Sequence, residues 1–560
     1  MKKIMRKTLL LIATFLWIYS SQAEELLIDN LNGYLLEKDQ WQPFKAIHIN
    51  SGKVKNIYKA ATDIPSSYQG KRLNGQGRTM LPGLIDAHGH IKGYALAKLQ
   101  IHLRNSASAA DSVKRVVAYR NSHPKLKWLQ GRGWNQVLWP GKQYPTAVML
   151  DKQIKDRPVW LRRVDGHAGW ANSKAMQIAG ISRTTPDPEG GQIIRDSEGN
   201  PTGIFIDNAM DLISKHIPEI SLQEEIALLP EALNQLAKLG LTSVHDAGIN
   251  SQTVAAYKTL AEQSQLPIRV YAMLSGSDKN VDQLIKAGPF ISHNDYLTIR
   301  SIKLFFDGAL GSRGAALHDS YSDKNNHKGL LLYPSKQLLL LAKQAQNHGF
   351  QVNIHAIGDR GNSEALNIFQ RLNKLASKQA SRHRIEHSQV IQLEDIPRFA
   401  KLNIIPSMQP IHATSDKNMA EDRLGPQRIK GAYAWRKLMN NNALIAGGSD
   451  FPVEPANPFY GIHAAVTRQD HNNHPPKGWY PEEKLTVAEA LKLFTYNAAY
   501  AAYQEDKVGN LQPGHWADFI LLEQNPFAVN KQSLWKVQVA ATWVAGKPVY
   551  QQPSTQLAKQ

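Results

Sequence analysis

Short apolar runs alternate with helix-length amphipathic stretches through the middle of this chain. Eight runs have the length and composition of buried strands, at 81–85, 241–245, 268–274, 299–306, 352–355, 384–387, 403–408 and 443–447. Helical patterns separate the later runs, for example at 336–349 and 362–380. Strands that alternate with helices predict an α/β fold with a parallel sheet, and eight such strands predict a TIM-like (β/α)8 barrel over residues 81–504.

Both ends of the chain have a different pattern from the middle. Residues 24–80 and 505–552 contain short apolar runs separated by polar turns, and no helix-length amphipathic period occurs in the first of these segments. We therefore expect the two ends to pair into one small composite β-sandwich domain that flanks the barrel.

The interval between the first and second barrel strands is far longer than a crossover requires, at about 150 residues. It contains five of the chain's 12 tryptophans, Trp128, Trp134, Trp139, Trp160 and Trp170. An insertion after a barrel strand emerges on the C-terminal face of the barrel, where active sites lie. We expect residues 104–235 to form a lid that shapes a pocket; the alternative is a separately packed subdomain whose tryptophans form its own core.

The first 23 residues have the pattern of a secretory signal peptide. Four basic residues among the first seven precede an apolar run at 8–17, and small residues at 21 and 23 suit cleavage before Glu24. An uncleaved anchor is the alternative, but the run is shorter than the ~20 residues of a membrane-spanning helix. The expected location is therefore the periplasm or the exterior, with no membrane span after cleavage.

Composition and charge narrow the chemistry. The chain has no cysteine, so disulfides, thiolate metal sites and cysteine nucleophiles are excluded. The formal net charge is +19, but the basic residues are scattered and not interleaved with aromatic residues in a dense block. A nucleic-acid surface normally concentrates such residues, so we expect no nucleic-acid partner and a small-molecule substrate instead.

Polar residues able to bind a metal stand at the ends of several predicted strands. They are His88 and His90 after the first, Lys303 in the fourth, His355 and His387 ending the fifth and sixth, and Asp450 after the eighth. Each alone has an ordinary explanation, such as a polar cap, a helix N-cap or a lysine that reaches water. A barrel brings its C-terminal strand ends to one rim, so together they predict a metal site.

Several segments that contain these residues resemble one protein family. They are Pro-Gly-Leu-Ile-Asp-Ala-His-Gly-His (82–90), Lys-Leu-Phe-Phe-Asp-Gly-Ala-Leu-Gly-Ser-Arg (303–313), His-Ala-Ile-Gly-Asp-Arg (355–360), Ile-Glu-His (385–387), Gly-Ser-Asp-Phe-Pro-Val (448–453) and Leu-Gln-Pro-Gly-His-Trp-Ala-Asp-Phe (511–519). The chain resembles the amidohydrolase superfamily from about residue 25 to 550, and within it the branch of YtcJ-like proteins and N-substituted formamide deformylase.

The resemblance implies a role for each candidate residue. His88, His90 and Asp450 would hold one divalent ion, His355 and His387 a second, and Lys303, carboxylated on its Nζ, would bridge the two. The expected ions are Zn²⁺, with manganese or iron as alternatives.

The resemblance also implies a reaction. A hydroxide that bridges the two ions would attack a carbonyl group, and Asp450 would pass its proton to the leaving nitrogen. The expected enzyme hydrolyses a non-peptide C–N bond in a small molecule. A lactone or ester hydrolase on the same site, or a non-catalytic envelope binding protein, are the alternatives.

The substrate pocket is less clear from the sequence. Trp134 and His167 are the candidate substrate contacts, because they lie in polar-aromatic clusters of the expected lid. Asp165, His245 and His412 are further candidates, although a structural role suits each of these five residues equally well. The family resemblance also allows a homodimer.

Overall fold

The computed structural model describes residues 25–375 and 381–553, so the predicted signal peptide lies outside the described residues. Eight parallel strands, each paired with its neighbours in chain order, form the barrel, and a ninth strand, Phe290–Ile291, pairs antiparallel with the fourth of them. The eight barrel strands are β1 (Leu84–Gly89), β2 (Leu241–Ile249), β3 (Arg269–Ser275), β4 (Leu297–Phe305), β5 (Gln351–Ala356), β6 (Arg384–His387), β7 (Ile405–Met408) and β8 (Ala446–Gly447). The predicted α/β barrel is confirmed.

The barrel is nearly closed, and its last seam lies between the ends of β1 and β8. The backbone N–H of Asp450 donates to the carbonyl of His88 at 2.7 Å, and that of His90 donates to Phe451 at 2.8 Å. These two bonds join the first and last strands at the C-terminal rim, so they also bring three predicted metal ligands together.

Helices surround the barrel and also occur in the insertion. They span Ile91–Ala97, Ala109–Ser122, Ala147–Asp151, Ser173–Ile178, Asp211–Ser214, Leu222–Ala237, Ser251–Glu262, Val281–Lys286, Ser335–Asn347, Asp359–Leu375, Ile396–Lys401, Pro410–Asp416, Ala420–Arg428, Trp435–Asn440, Pro458–Thr467, Val487–Leu493 and Tyr496–Tyr500. The helical pattern predicted for 362–380 extends beyond Leu375, the last described residue of its helix. Within the described ranges, no helix is both long and apolar enough to span a bilayer.

Two sheets built from both chain ends form the predicted β-sandwich. One contains Lys53–Tyr58, Ala46–Asn50, Glu25–Asp29 and Lys71–Asn74; the other contains Lys547–Gln551, Val539–Val544, Phe519–Leu522, Thr79–Pro82, Asn32–Glu37 and Gln40–Phe44. Apolar side chains of the two sheets, among them Ile28, Ile47, Met80 and Phe519, share one core. The chain ends therefore meet because each supplies one part of a common apolar layer.

The transition from sandwich to barrel corrects one predicted boundary. Leu81 and Pro82 belong to a sandwich strand, and the barrel strand begins only at Leu84. Gly83 separates the two strands, and a Cβ on this residue would lie 2.2 Å from Oγ1 of Thr242. The apolar run is continuous in sequence because both strands are buried, so its hydrophobicity could not mark the break.

The insertion has its own sheet and core. Its six strands lie in the order Gly191–Arg195, Pro201–Asp207, Ala168–Ala171, Val159–Arg163, Leu129–Trp134 and Ile101–His102. This sheet begins before the predicted limit of 104. The predicted limit of 235 is late, because helix Leu222–Ala237 packs Leu229 and Leu233 into the barrel core against Val244.

A buried ion pair joins the barrel to the sandwich. Arg269 on β3 donates through Nε and Nη2 to the two carboxylate oxygens of Asp518, at 2.6 and 3.0 Å. Asp518 also accepts the backbone N–H of Ala545 at 2.7 Å. Both charged side chains are buried, so each depends on the other for its charge to be balanced.

Replacing Arg269 by Met should therefore lower the free energy of unfolding by about 3–5 kcal/mol, because Asp518 would keep a buried and unpaired charge. Urea unfolding measures this change. The matched control is Lys59→Met, whose partner Glu37 lies 3.0 Å away on the exposed surface, and we expect less than about 1 kcal/mol there. Equal effects of the two variants would contradict the assigned role.

Candidate metal centre

The C-terminal rim of the barrel opens into a cavity of about 190 Å³. Barrel residues His355, His387 and Asp450 line one part of its wall, and Arg163 and His167 of the insertion line another. The cavity is therefore shared between the barrel and the insertion, and its size suits a small molecule.

His88 and His90 are held by their Nδ1 atoms. Nδ1 of His88 donates to the carboxylate of Glu386, and Nδ1 of His90 donates to the carbonyl of Ala247 at 2.8 Å. Both partners can only accept a hydrogen bond at these atoms, so the Nδ1 atoms carry the protons. The other ring nitrogen of each histidine, Nε2, therefore carries an available lone pair whenever the ring is neutral.

These lone pairs converge on a carboxylate oxygen. Oδ1 of Asp450 lies 3.7 Å from Nε2 of His88 and 3.1 Å from Nε2 of His90. It is buried and makes no hydrogen bond of acceptable geometry. Burial, reinforced by the charge of Lys303, lowers the pKa of His88 to about 4, so that ring is neutral at pH 7. Three converging electron-pair donors fit a divalent cation better than they fit one another.

Lys303 reaches the same point from β4. Its Nζ lies 3.2 Å from Nε2 of His88, and its side chain is buried. Burial lowers the pKa of Lys303 to about 8, although the charges of Glu386 and Asp450 oppose the shift. The lysine therefore lies beside the first group of candidate ligands.

His355 and His387 complete the predicted set. Their rings lie 4.5 Å apart between centroids, and the ring of His387 is 4.7 Å from that of His88. Nδ1 of His387 donates to Oε1 of Gln409 at 2.8 Å, and Nε2 of His355 is buried without a hydrogen-bond partner. Burial lowers the pKa of both rings well below the usual value, which keeps them available as neutral ligands.

Two of these residues have backbones in the left-handed region. The φ angle is +76° at His387 and +60° at Asp450, values that residues other than glycine seldom adopt. The loop before Asp450 is held by Asp86, whose carboxylate accepts the N–H of Ser449 at 3.0 Å and its Oγ–H at 2.6 Å. Surrounding bonds thus enforce a strained backbone at the site.

His412 is closer to the centre than the sequence indicated. Its Nε2 lies 3.4 Å from Oδ2 of Asp450 and its Nδ1 lies 3.7 Å from Glu454. Although burial opposes the charged form, the interactions with these two nearby carboxylates raise the pKa of His412 to about 10. Potential ligand atoms lie within 4.8 Å of one another in two groups, His88 with His90 and Asp450, and His387 with His412 and Asp450.

The buried charge pair of Arg384 and Glu386 holds His88 of the first group of candidate ligands in position. Although burial opposes ionisation, the charge of Arg384 and the bond to His88 hold the pKa of Glu386 well below its usual value. Nη2 of Arg384 lies 2.9 Å from Oε2 of Glu386 and 2.6 Å from the carbonyl of Ala87. The signal available in the sequence was the i, i+2 spacing of Arg384 and Glu386, which places two charges on one face of a buried strand.

The candidate substrate contacts separate into two groups. His167 and Asp165 line the cavity, whereas Trp134 does not. Trp134 is fully buried in the insertion core and its indole N–H donates to Leu161 at 2.8 Å, so the expectation that it contacts substrate is corrected. His245 is buried in the barrel interior, where its Nδ1 accepts from Arg384 at 3.0 Å.

Comparisons with known proteins agree with this geometry. A family model described as the amidohydrolase family matches residues 73–550. "Putative amidohydrolase YtcJ" of Bacillus subtilis (strain 168) is 34% identical over 517 residues, which cover 90% of this chain and 96% of that protein. N-substituted formamide deformylase of Arthrobacter pascens is 24% identical over 94% of this chain and 98% of its own length.

A solved structure supports the same fold. The crystal structure of an uncharacterized metal-dependent hydrolase from Pyrococcus horikoshii OT3 aligns with a TM-score of 0.73 at 26% identity. The alignment covers 90% of this chain and 99% of that chain, so the match includes nearly the whole of the solved protein.

Glu386 should affect metal binding without contacting the metal. Glu386→Gln weakens the acceptor that fixes the ring of His88, so we expect the affinity for Zn²⁺ to fall about 10- to 100-fold. Competition with a chromogenic chelator measures the affinity, and circular dichroism checks the fold. Glu394→Gln, at an exposed position, is the control. If both variants bind Zn²⁺ as the wild type does, Glu386 does not orient a ligand.

Proposed function

Since this chain belongs to the amidohydrolase family, we propose that it is a metal-dependent hydrolase that cleaves a non-peptide C–N bond in small N-acyl compounds. The observation that carries the proposal is the convergence of the two Nε2 atoms of His88 and His90 on the unbonded Oδ1 of Asp450. Such a cluster of acceptors is costly to bury unless a cation balances it.

His88, His90 and Asp450 would hold one ion in this proposal, and His355 and His387 the other. Lys303 would bridge them as a carbamate, because an ammonium group would repel both cations whereas a carbamate supplies two anionic oxygens. Imidazole and carboxylate ligands suit Zn²⁺. Divalent ions bound there supply Lewis acidity and make water a stronger acid, so that a nucleophile is available near neutral pH.

Asp450 has the position of a proton carrier. Its carboxylate lies at the cavity wall, so it can accept a proton from the attacking water and deliver it to the leaving nitrogen. Its Oδ2 faces His412 at 3.4 Å, which holds the carboxylate in place while the proton moves. Arg163 and His167 of the insertion line one wall of the cavity, so protein rather than bulk water bounds the site there, which strengthens charge interactions within it.

The leaving atom favours an amide over an ester. The nitrogen leaving group of an amide must be protonated before it departs. The alkoxide leaving group of an activated ester can depart without prior protonation. The pair formed by Asp450 and His412 can supply such a proton, so it suits an amide. The relative named N-substituted formamide deformylase acts, by its name, on a C–N bond of this kind. We therefore expect simple N-substituted formamides to be among the compounds that this chain hydrolyses.

Removing the carboxylate of Asp450 tests the proton step. Asp450→Asn should lower kcat for p-nitroformanilide by about 10²- to 10⁴-fold, since the amide cannot accept the proton. Release of p-nitroaniline measures turnover, and thermal unfolding checks the fold. The control is Asp156→Asn, at an exposed position of the insertion. Full turnover by Asp450→Asn would remove Asp450 from the mechanism.

The bond and the metal can be tested on the wild-type protein. We expect two equivalents of Zn²⁺ per chain, loss of turnover with a chelator and its return when Zn²⁺ is added. p-Nitroformanilide should be hydrolysed, and a simple lactone should be a poorer substrate. Hydrolysis of the lactone alone would assign the site to esters, and a protein that binds no metal would be a binding protein instead.

A further inference from the structure

A histidine and an aspartate of the insertion face the metal centre from across the cavity. His167 precedes strand Ala168–Ala171, and Asp207 ends strand Pro201–Asp207, which pairs with it. Nδ1 of His167 donates to Oδ1 of Asp207 at 2.6 Å, and the ring of His167 lies 5.2 Å from that of His355. The insertion therefore brings an oriented imidazole to the rim of the barrel.

Asp207 is held against the barrel by two glycines. A Cβ on Gly308 would lie 2.3 Å from Oδ2 of Asp207, and a Cβ on Gly314 would lie 2.2 Å from the same atom. Both glycines belong to the loop that follows β4, so this loop has room for the carboxylate only because neither residue has a side chain. The contact fixes where the insertion rests on the barrel and therefore where His167 points.

The second ring nitrogen of His167 is available for a ligand. Nδ1 is used by Asp207, and within residues 25–375 and 381–553 no group forms a hydrogen bond with Nε2. The side chain lines the cavity together with Asp450 and is partly exposed, at 18%. A polar atom of a molecule in the cavity can therefore replace water at Nε2.

A metal ion is a poorer candidate for that position than a substrate. In the described part of the chain, His167 lies in neither group of three potential ligand atoms, and its Nδ1 is already bonded to Asp207. His355 lies outside both groups as well, so the Zn²⁺ content of a His167 variant is the measurement that separates a ligand from a substrate contact. His167 belongs to the insertion, which forms the cavity wall opposite the barrel, so it is placed to contact a bound substrate.

We infer that His167 is a substrate-contacting residue whose Nε2 accepts a hydrogen bond from the N–H of the scissile amide, and that Asp207 is its positioning residue. This inference rests on the proposed function, because it needs an acyl substrate in the cavity. It adds that the insertion supplies part of the reacting geometry in addition to covering the site.

Two substitutions of His167 separate contact from structure. In His167→Asn the amide nitrogen takes the place of Nδ1, so the bond to Asp207 can remain while the Nε2 contact is lost. In His167→Gln the amide oxygen can take the place of Nε2 as acceptor, so the contact can remain while the bond to Asp207 is lost. The two variants therefore retain opposite halves of the ring's bonding.

We expect His167→Asn to lower kcat/KM for p-nitroformanilide roughly 10-fold with unchanged Tm and Zn²⁺ content, because one hydrogen bond to the substrate is lost. His167→Gln should retain a higher kcat/KM than His167→Asn, although its Tm should be lower. The control is His123→Asn, an exposed position of the insertion, where no change is expected. If kcat/KM of His167→Asn equals that of the wild type, or is higher than that of His167→Gln, the role of His167 is structural. If His167→Asn loses Zn²⁺, His167 is a metal ligand. Each of these results overturns the inference.

A double-mutant cycle with His167→Asn tests the role of Asp207. Asp207→Asn keeps the shape of the side chain between the glycines and weakens the acceptor for Nδ1, so kcat/KM should fall several-fold in the wild type. In the His167→Asn background it should fall no further, because the contact that Asp207 orients is already absent. Equal effects in both backgrounds would show that Asp207 acts independently of His167.

The outcomes also separate the inference from the proposed function. If the wild type and the His167→Asn variant hydrolyse p-nitroformanilide equally well, only the inference about His167 is wrong. A wild-type protein that hydrolyses no amide probe removes the proposed function and the inference with it.

Discussion

The site depends on one constraint, the crowding of electron-pair donors around a buried point at the barrel rim. Nε2 of His88 and of His90 both face Oδ1 of Asp450, and that oxygen has no hydrogen bond. A protein seldom buries such atoms unpaired, because each loses its hydration without compensation. A bound cation would remove the conflict, so the arrangement is a candidate metal site that a cation would stabilise.

The bonds that close the barrel also build this site. Asp450 donates its N–H to the carbonyl of His88, and the neighbouring Phe451 accepts from His90. The seam between the first and last strands is therefore formed by the ligands' own backbones. Metal binding and barrel closure should support each other, since both are lost if the loop that contains Asp450 moves.

A second layer of charge makes the arrangement rigid. Arg384 contacts Glu386 on its own strand, Ala87 on β1 and Ser407 on β7, and Glu386 in turn holds His88. Burying such a pair contributes little net stability compared with apolar packing. Its value lies in fixing the tautomer and the direction of His88, which apolar side chains cannot do.

The sequence was most informative where function depends on strand ends, and least where it depends on contacts between distant segments. His88, His355, His387 and Asp450 each end or follow an apolar run, so the barrel alone predicted their meeting. Trp134 was misassigned because a tryptophan in a polar cluster has the same local pattern whether it lines a cavity or a core.

Other residues had no local signal that could identify them. The roles of His412, Asp207 and Gly83 are set by partners far away in the chain, at Asp450, at the loop after β4 and at Thr242. No periodicity or composition around these residues contains that information, because it arises only when the barrel and the insertion pack together.

The contact between Asp207 and its two glycines suggests how chemistry and specificity are divided in this molecule. The barrel supplies the metal ligands on strands held by many backbone bonds, so their positions tolerate little change. The insertion meets the loops around this centre through the carboxylate of Asp207, which fits between Gly308 and Gly314, and also through Arg104 and Tyr144, and it places His167 beside His355. Changes elsewhere in the insertion can therefore alter the far wall of the cavity while these contacts keep His167 in register with the metal ligands. Such a design would let the scissile amide be held in one place while the rest of the substrate varies.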